Sequence, residues 1–527
     1  MLFDRIKSLD AIMATAEKKG LHRSLGPFQL TLLGIGAVIG TGIFVLTAEA
    51  AQKAGPGMVL SFVVAGFVCG VAALCYSELA SMVPVAGSAY TYTYAVVGEM
   101  MAWMVGWALI LEYAVGASAV AVGWSNHAVG LLHGLGINIP TAISNADALM
   151  AKVELLFGAA PTPDVMTALQ VGGWINVPAI LISAAVTWLL IIGTTESARV
   201  NAALVLVKIA ALTLFIALTI PVLQAKNFVP FTPTGSAGVF GAAASIFFAY
   251  VGFDAVSTAA EETRNPQRNV PIGLIGSLGI CTVFYLLVAS GAIGAIGAQP
   301  VTAAGAVLEP GSAEMAGRCA TLATGGVTPL VCSKEALVHV LETIGWPALG
   351  RLVGLAAVIA LPSVVLMMMF GQTRVFFTMA RDGLLPEKLA SVHPRYKTPH
   401  VVTLVTGMGA TVAAAVLPVG KLADYSNSGT LFAFFMVAIA VMVLRKTDPE
   451  RRRPFRAPAL WILAPLAMIG CAVLYFSLPI TAILVLPVWG AIGLLIYFLY
   501  SRSRSHVGRG IVEKIGEDDP PIYGVKR

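Results

Sequence analysis

The chain has 527 residues, of which 57% are hydrophobic and 11% charged, with a formal net charge of +6. A water-soluble protein carries about 25% charged residues, and its surface cannot accept this much apolar area, so a soluble fold is excluded. The apolar residues gather in runs of about 20 rather than in short alternating segments, which reads as a helical bundle in lipid and not a β-barrel.

Residues 1–27 mix Arg5, Lys7, Lys18, Lys19 and Arg23 with Asp4, Asp10 and Glu17, and hold no apolar core ahead of a small-residue cleavage site. They read as a cytoplasmic N-terminal segment. Twelve apolar runs follow, near 28–49, 57–82, 99–133, 177–194, 198–223, 237–260, 271–296, 346–379, 400–418, 427–445, 457–476 and 479–500. The third and eighth exceed what a span needs and are expected to tilt or to extend past the lipid. Twelve spans put both termini on one side. With that side cytoplasmic, 25 of the 33 Lys and Arg residues fall inside and 7 outside, and Lys208 lies within a span. The densest cluster runs from Arg445 to Arg456. The positive-inside rule therefore fixes the orientation, and flanking spans explain the basic runs without a nucleic-acid partner. The chain divides into the segment 1–27, a core 28–445, two last spans within 457–500, and a polar tail 501–527 expected to be mobile.

Polar and glycine-rich exceptions inside such spans carry the information. In the first run, Gly34-Ile35-Gly36-Ala37-Val38-Ile39-Gly40-Thr41-Gly42 places four glycines in nine residues. Small residues let membrane helices approach closely; the alternative is a break, since glycine loses the most by staying helical and unwound backbone survives at depth only where it lines a cavity. A matching interruption falls in the sixth run, at Phe248-Ala249-Tyr250-Val251-Gly252-Phe253-Asp254. Interrupted spans at corresponding positions of two halves mark a transporter site. The amides opening the outer half-helix suit a carboxylate, and the carbonyl ends suit an ammonium, so an amino acid backbone satisfies both breaks.

Lys208 stands alone in an apolar run about 15 Å from its nearer end, at 1.5 Å per residue. That is deep for snorkelling to a headgroup, so a titratable, proton-coupling role is expected. Glu112 and Asp254 are buried carboxylates that either line a side-chain pocket or accept hydrogen bonds from backbone and hydroxyls. Glu78, Glu261 and Glu262 read as structural or interfacial. Trp103, Trp107 and Trp124 read as packing or interface aromatics. Cys69, Cys75, Cys281 and Cys471 behave as small hydrophobes. Cys319 and Cys332 share one long loop, where an external location permits a disulfide. No spacing suggests a metal, and no cofactor is expected.

At these residues the sequence resembles the amino acid–polyamine–organocation superfamily, in the bacterial form of its cationic amino acid transporter branch. The carriers are GIGAVIGTGIF at 34–44, YSELASMVPVAGSAYTY at 76–92, FFAYVGFDAVSTAAEETRNPQRNVPIG at 247–273 and TRVFFTMARDGLLP at 373–386. The resemblance implies an all-α membrane protein of 12 transmembrane helices, a five-plus-five inverted repeat with discontinuous helices 1 and 6, in a bacterial inner membrane. It implies that Gly40, Thr41 and Gly42 bind the substrate carboxylate, and that carbonyls of Val38, Phe248, Ala249 and Val251 bind its amino group. Glu112, Asp254 and Thr41 match positions that meet the side chain. Lys208 matches the lysine that makes transport proton-coupled, with Ser363 as its partner.

The expected activity is proton-coupled symport of amino acids, either cationic ones such as arginine and lysine or a broad set including small neutral ones. An exchanger and a non-transporting sensor are the alternatives. An enzyme is not expected, because no HExxH, nucleophile–base or GxxxxGK[ST] pattern occurs. The expected partners are the amino acid, the proton and the bilayer.

Overall fold

The computed structural model describes residues 5–7, 9, 12, 25–83, 88–156, 169, 172–193, 198–260, 263–298, 318, 319, 321, 329–333, 335–396 and 398–510. Its helices are α1 (Pro27–Val38), α2 (Thr41–Phe44), α3 (Leu46–Ala54), α4 (Met58–Met82), α5 (Ser88–Val96), α6 (Glu99–Gly134), α7 (Asp147–Leu156), α8 (Val177–Ile192), α9 (Ala198–Thr219), α10 (Gly235–Ile246), α11 (Ala255–Thr258), α12 (Pro266–Ile296), α13 (Ala336–Thr343), α14 (Pro347–Arg381), α15 (His400–Val416), α16 (Val419–Thr447), α17 (Leu460–Phe476) and α18 (Ile480–Ile496). Among the described residues, eight helical stretches are long and apolar enough to cross a membrane, and α1, α8, α15 and α17 are shorter apolar helices. Every one of the twelve expected runs contains one of these. The two over-long runs form single helices of 36 and 35 residues.

Local chemistry sets the ends. Gln29 accepts from the Gly26 amide at 3.0 Å, and Pro27 opens α1, where a missing N–H costs nothing. Asn176 caps α8 by accepting from the Ala179 amide at 3.0 Å, and Gly193 closes that helix at φ 80°. Prolines inside helices orphan the carbonyl four residues back, and aromatic side chains fill two of these gaps. Pro362 in α14 frees the Val358 carbonyl, which accepts from Trp124 Nε1 at 2.9 Å. Pro487 in α18 frees the Ile483 carbonyl, which accepts from Tyr475 Oη at 2.6 Å.

The helix α6 is the spine. Both α14 and α16 pack along it, and it is fully buried on opposite faces at Ala117, Ala119 and Ala121, where small side chains allow close approach. At one end α18 docks on it through reciprocal indole bonds. Trp107 Nε1 donates to the Trp489 carbonyl at 2.8 Å, Trp489 Nε1 donates to the Trp107 carbonyl at 2.7 Å, and the rings stack at 4.6 Å. Trp107 is a packing residue, as expected.

Two buried carboxylates hold the same end of the bundle. Glu78, on α4, accepts Arg445 Nε at 2.9 Å and Nη2 at 2.5 Å, lies 3.3 Å from Arg453 Nε, and accepts the Ala457 amide at 2.8 Å. The structural reading of Glu78 holds; Glu261 and Glu262 lie outside the described residues. Glu99, fully buried at the start of α6, accepts from Arg5 Nη1, Tyr94 Oη and Tyr497 Oη, each at 3.0 Å, and from Ser505 Oγ. Nearby, Lys7 reaches Asp382 at 2.9 Å, and Tyr90 Oη donates to the same carboxylate at 2.8 Å. The polar tail was expected to be mobile from residue 501. Its first part is instead ordered against the bundle, because Glu99 and the Leu384 carbonyl recruit Ser505 and Ser501; residues 511–527 lie outside the described set.

Candidate functional site

The first predicted break is a real interruption. After Val38 the chain leaves the helix at Ile39 (φ −72°, ψ 94°) and Gly40 (φ −140°, ψ −148°), then turns helical again from Thr41. The second is softer. Phe247–Tyr250 tighten into a 3-10 turn, Val251 is extended (φ −63°, ψ 141°), and Gly252 sits at φ +107°, where a side chain would be strained.

The two breaks touch. A Cβ on Gly42 would collide with the backbone of Ala249, and one on Gly252 would lie 3.0 Å from the Ala37 carbonyl oxygen. Glycine is required at both points because backbone meets backbone.

A residue that sequence reading missed joins them. Tyr285, fully buried on α12, places its hydroxyl 2.9 Å from the Val38 carbonyl oxygen and 2.8 Å from that of Ala249. A hydroxyl has one proton to donate. Three oxygens therefore share one proton, and the cluster is short of donors. A tyrosine in an apolar run gives no local signal that could have flagged it.

Lys208 sits where its sequence position suggested. Its Nζ donates to the Gly36 carbonyl at 2.8 Å and lies 3.5 Å from Ser363 Oγ, which itself donates to the Ala360 carbonyl at 2.7 Å. Gly36 permits this approach: a Cβ there would lie 2.7 Å from Val205 Cγ2, on α9. One ammonium thus links α9 to the last turn of α1 and to α14.

The remaining predicted residues are spread further. Thr41 Oγ1 is buried without a hydrogen-bond partner and lies against Gly123 of α6. Glu112 is eleven positions away on that helix, about 16 Å along its axis. Glu112 is fully buried, and neither carboxylate oxygen has a hydrogen-bond partner; its backbone carbonyl accepts from Ser426 Oγ at 2.9 Å. Asp254 accepts from Tyr113 Oη at 2.7 Å through one oxygen, and its other is without a partner. Its carbonyl accepts from Ser257 Oγ at 2.7 Å, and that hydroxyl lies 3.1 Å from Tyr76 Oη. Cys319 is disulfide-bonded; the side chain of Cys332 lies outside the described residues. Among the described residues no cluster of His, Cys, Asp and Glu could hold a metal.

At the end of the bundle away from Glu99, a second missed group ties both interrupted helices to α16. Ser245 Oγ, on α10, donates to Asp424 Oδ1 at 2.6 Å; Lys53 Nζ, on α3, bonds Ser245 and lies 3.6 Å from Asp424 Oδ2. Asn427 donates to the Ala244 carbonyl at 2.8 Å. The breaks are buried between this latch and the opposite cluster.

A helical membrane bundle with two interrupted helices in contact, buried backbone acceptors at both that are short of donors, and a buried lysine braced on one of them defines a membrane carrier. The chain belongs to the amino acid permease family, whose family model matches residues 25–500. It is 43% identical to the branched-chain amino acid permease BcaP of Bacillus subtilis over 96% of this chain and 99% of that one. It is 39% identical to the methylthioribose transporter of the same organism, over 95% and 98%. It is also 34% identical to the vacuolar cationic amino acid transporter 2 of Arabidopsis thaliana, over 85% of this chain and 64% of the relative. These relatives are transporters, not enzymes.

Proposed function

We propose that the protein is a proton-coupled amino acid symporter with both termini cytoplasmic. The observation that carries this is the bond from Lys208 to the Gly36 carbonyl, two residues before the break. Protonated Lys208 holds the inner half of the first helix against α9. Proton loss toward the cytoplasm weakens that bond and lets α1 swing. The apolar helices read as twelve spans in a five-plus-five inverted repeat, in a bacterial inner membrane.

The amino acid's carboxylate takes the amides at Gly40, Thr41 and Gly42, which lack intrahelical acceptors at a helix start. Its ammonium takes the carbonyls of Val38, Phe248, Ala249 and Val251, bringing three donors to a cluster that has one. For the side chain we favour neutral, branched substrates. Phe248, in the second break, and Met368 both lie against Gly116 of α6 as apolar surface, and the branched-chain permease is similar along nearly its whole length. A cationic substrate is the second reading, favoured by the unpartnered oxygens of Glu112.

The test is uptake into proteoliposomes under an imposed pH gradient, with leucine and arginine as competitors. Wild type accumulates substrate with the gradient, and Lys208→Ala loses that accumulation. Unchanged gradient-driven uptake in the variant removes the lysine from the mechanism, and counterflow that ignores pH points to an exchanger. Competition by arginine but not leucine, abolished in Glu112→Gln, selects the cationic reading.

A further inference from the structure

The basic run from Arg445 to Arg456 does two different jobs. Its inner arginines are consumed by the fold. Arg445 and Arg453 hold Glu78, and Arg445 also donates to the Ala457 carbonyl at 2.9 Å. Arg453 donates to the carbonyls of Asp448 at 2.6 Å, Arg451 at 2.8 Å and Pro449 at 2.9 Å, folding the loop back on the end of α16. Arg451 faces Asp448 at 3.5 Å.

The outer ones are left over. Lys446, Arg452 and Arg456 are exposed, and neither Arg452 nor Arg456 has a hydrogen bond or ion pair among the described residues. Glu450 is the exposed acid beside them. Lys446 Nζ lies 5.5 Å from the ring of Trp461, which is 50% exposed on the first turn of α17 beside Ile462 at 69%. A half-exposed tryptophan at the end of a lipid-facing helix marks the headgroup level. Cations fixed at that level attract anionic lipids, and the attraction is electrostatic.

We infer that Lys446, Arg452 and Arg456, with Trp461 as the acyl-side wall, form a binding site for the phosphate of an anionic phospholipid. The arginine pair on Glu78 makes the loop a rigid platform, so the site is preformed rather than assembled by the lipid. A free phosphate shares the charge but not the contact with Trp461 and the α17 face.

The test uses purified full-length protein in neutral detergent. Thermal melting is followed with added phosphatidylglycerol, phosphatidylcholine, or inorganic phosphate, and retained lipid is counted by native mass spectrometry. A ligand that binds the folded state raises the midpoint as its concentration exceeds its dissociation constant. Phosphatidylglycerol raises the wild-type midpoint by several degrees, and phosphatidylcholine and phosphate do not. In Arg452→Gln and Arg456→Gln, singly and together with Lys446→Gln, the unliganded midpoint stays near wild type while the lipid shift and at least one retained lipid are lost. Arg445→Gln lowers the midpoint with or without lipid, which separates the platform from the site. An undiminished phosphatidylglycerol shift and lipid count in the triple variant overturns the proposal. So does an equal shift with inorganic phosphate, which would make the cluster a site for free anions.

Discussion

Tyr285 holds Val38 across the bundle, its hydroxyl 2.9 Å from the carbonyl oxygen that ends the first half-helix. The same hydroxyl is within reach of Ala249, so it occupies the position that the proposed substrate ammonium would take. Removing it leaves two buried acceptors without a donor.

Tyr285→Phe should therefore lower stability by about 1–3 kcal/mol, the cost of leaving a buried acceptor unsatisfied. Added substrate supplies the missing donors, so leucine should raise the melting midpoint of the variant more than that of wild type. A smaller substrate-induced shift in the variant would mean that the hydroxyl binds substrate directly and does not stand in for it.

The glycines of the first break should differ sharply. A Cβ at Gly42 runs into the Ala249 backbone, which has no rotamer to move, whereas one at Gly40 meets the side chain of Val364 at 3.3 Å. Overpacking costs about 1–3 kcal/mol where neighbours can shift. Gly42→Ala should abolish uptake while Gly40→Ala retains a measurable rate. Equal activity in the two variants would show that the breaks do not touch during transport.

Glu78→Gln strands the positive charges of Arg445 and Arg453, whose side chains are 11% and 7% exposed. Breaking a buried pair from one side costs about 3–5 kcal/mol, enough to lower the melting midpoint strongly at any substrate concentration. A midpoint within about a degree of wild type, where a loss of about 3–5 kcal/mol should move a chain of this size by a few degrees, would show that the cluster is solvated and not structural.

Lys53 and Asp424 join across the end of the bundle opposite Glu99, with Lys53 28% exposed. Such a partly exposed pair is worth about 1 kcal/mol at most, which corresponds to roughly fivefold in a rate. Asp424→Asn should speed release of bound amino acid to that side by up to this factor, measured as dissociation of labelled substrate, and leave Lys208-dependent coupling intact. Slower release would assign Asp424 to substrate binding.

The sequence carried the spans and both breaks, because apolar length and clustered glycine are local properties. It also carried Lys208, since a lone cation in an apolar run must find an acceptor, and the acceptor is the Gly36 carbonyl beside the break. Tyr285, Ser245 and Asp424 were not legible. Each acts through a partner far along the chain, and each type is unremarkable in its own segment. Glu112 and Asp254 were visible as carboxylates, but only the fold shows that Tyr113 engages one of them and that no hydrogen bond reaches the other. The ordered start of the tail was missed for a related reason. Its polarity predicted solvation, and its actual partner is a buried glutamate about 400 residues earlier.

That glutamate ties early and late parts of the chain at one point. Arg5 and Tyr94 can reach Glu99 as soon as the first third of the chain is made, but Tyr497 and Ser505 arrive only with the last helix. A chain that stops before residue 497 leaves a buried carboxylate with two of its four side-chain donors. Full satisfaction of that carboxylate therefore waits on the segment from Tyr497 to Ser505, the last part of the bundle to be made.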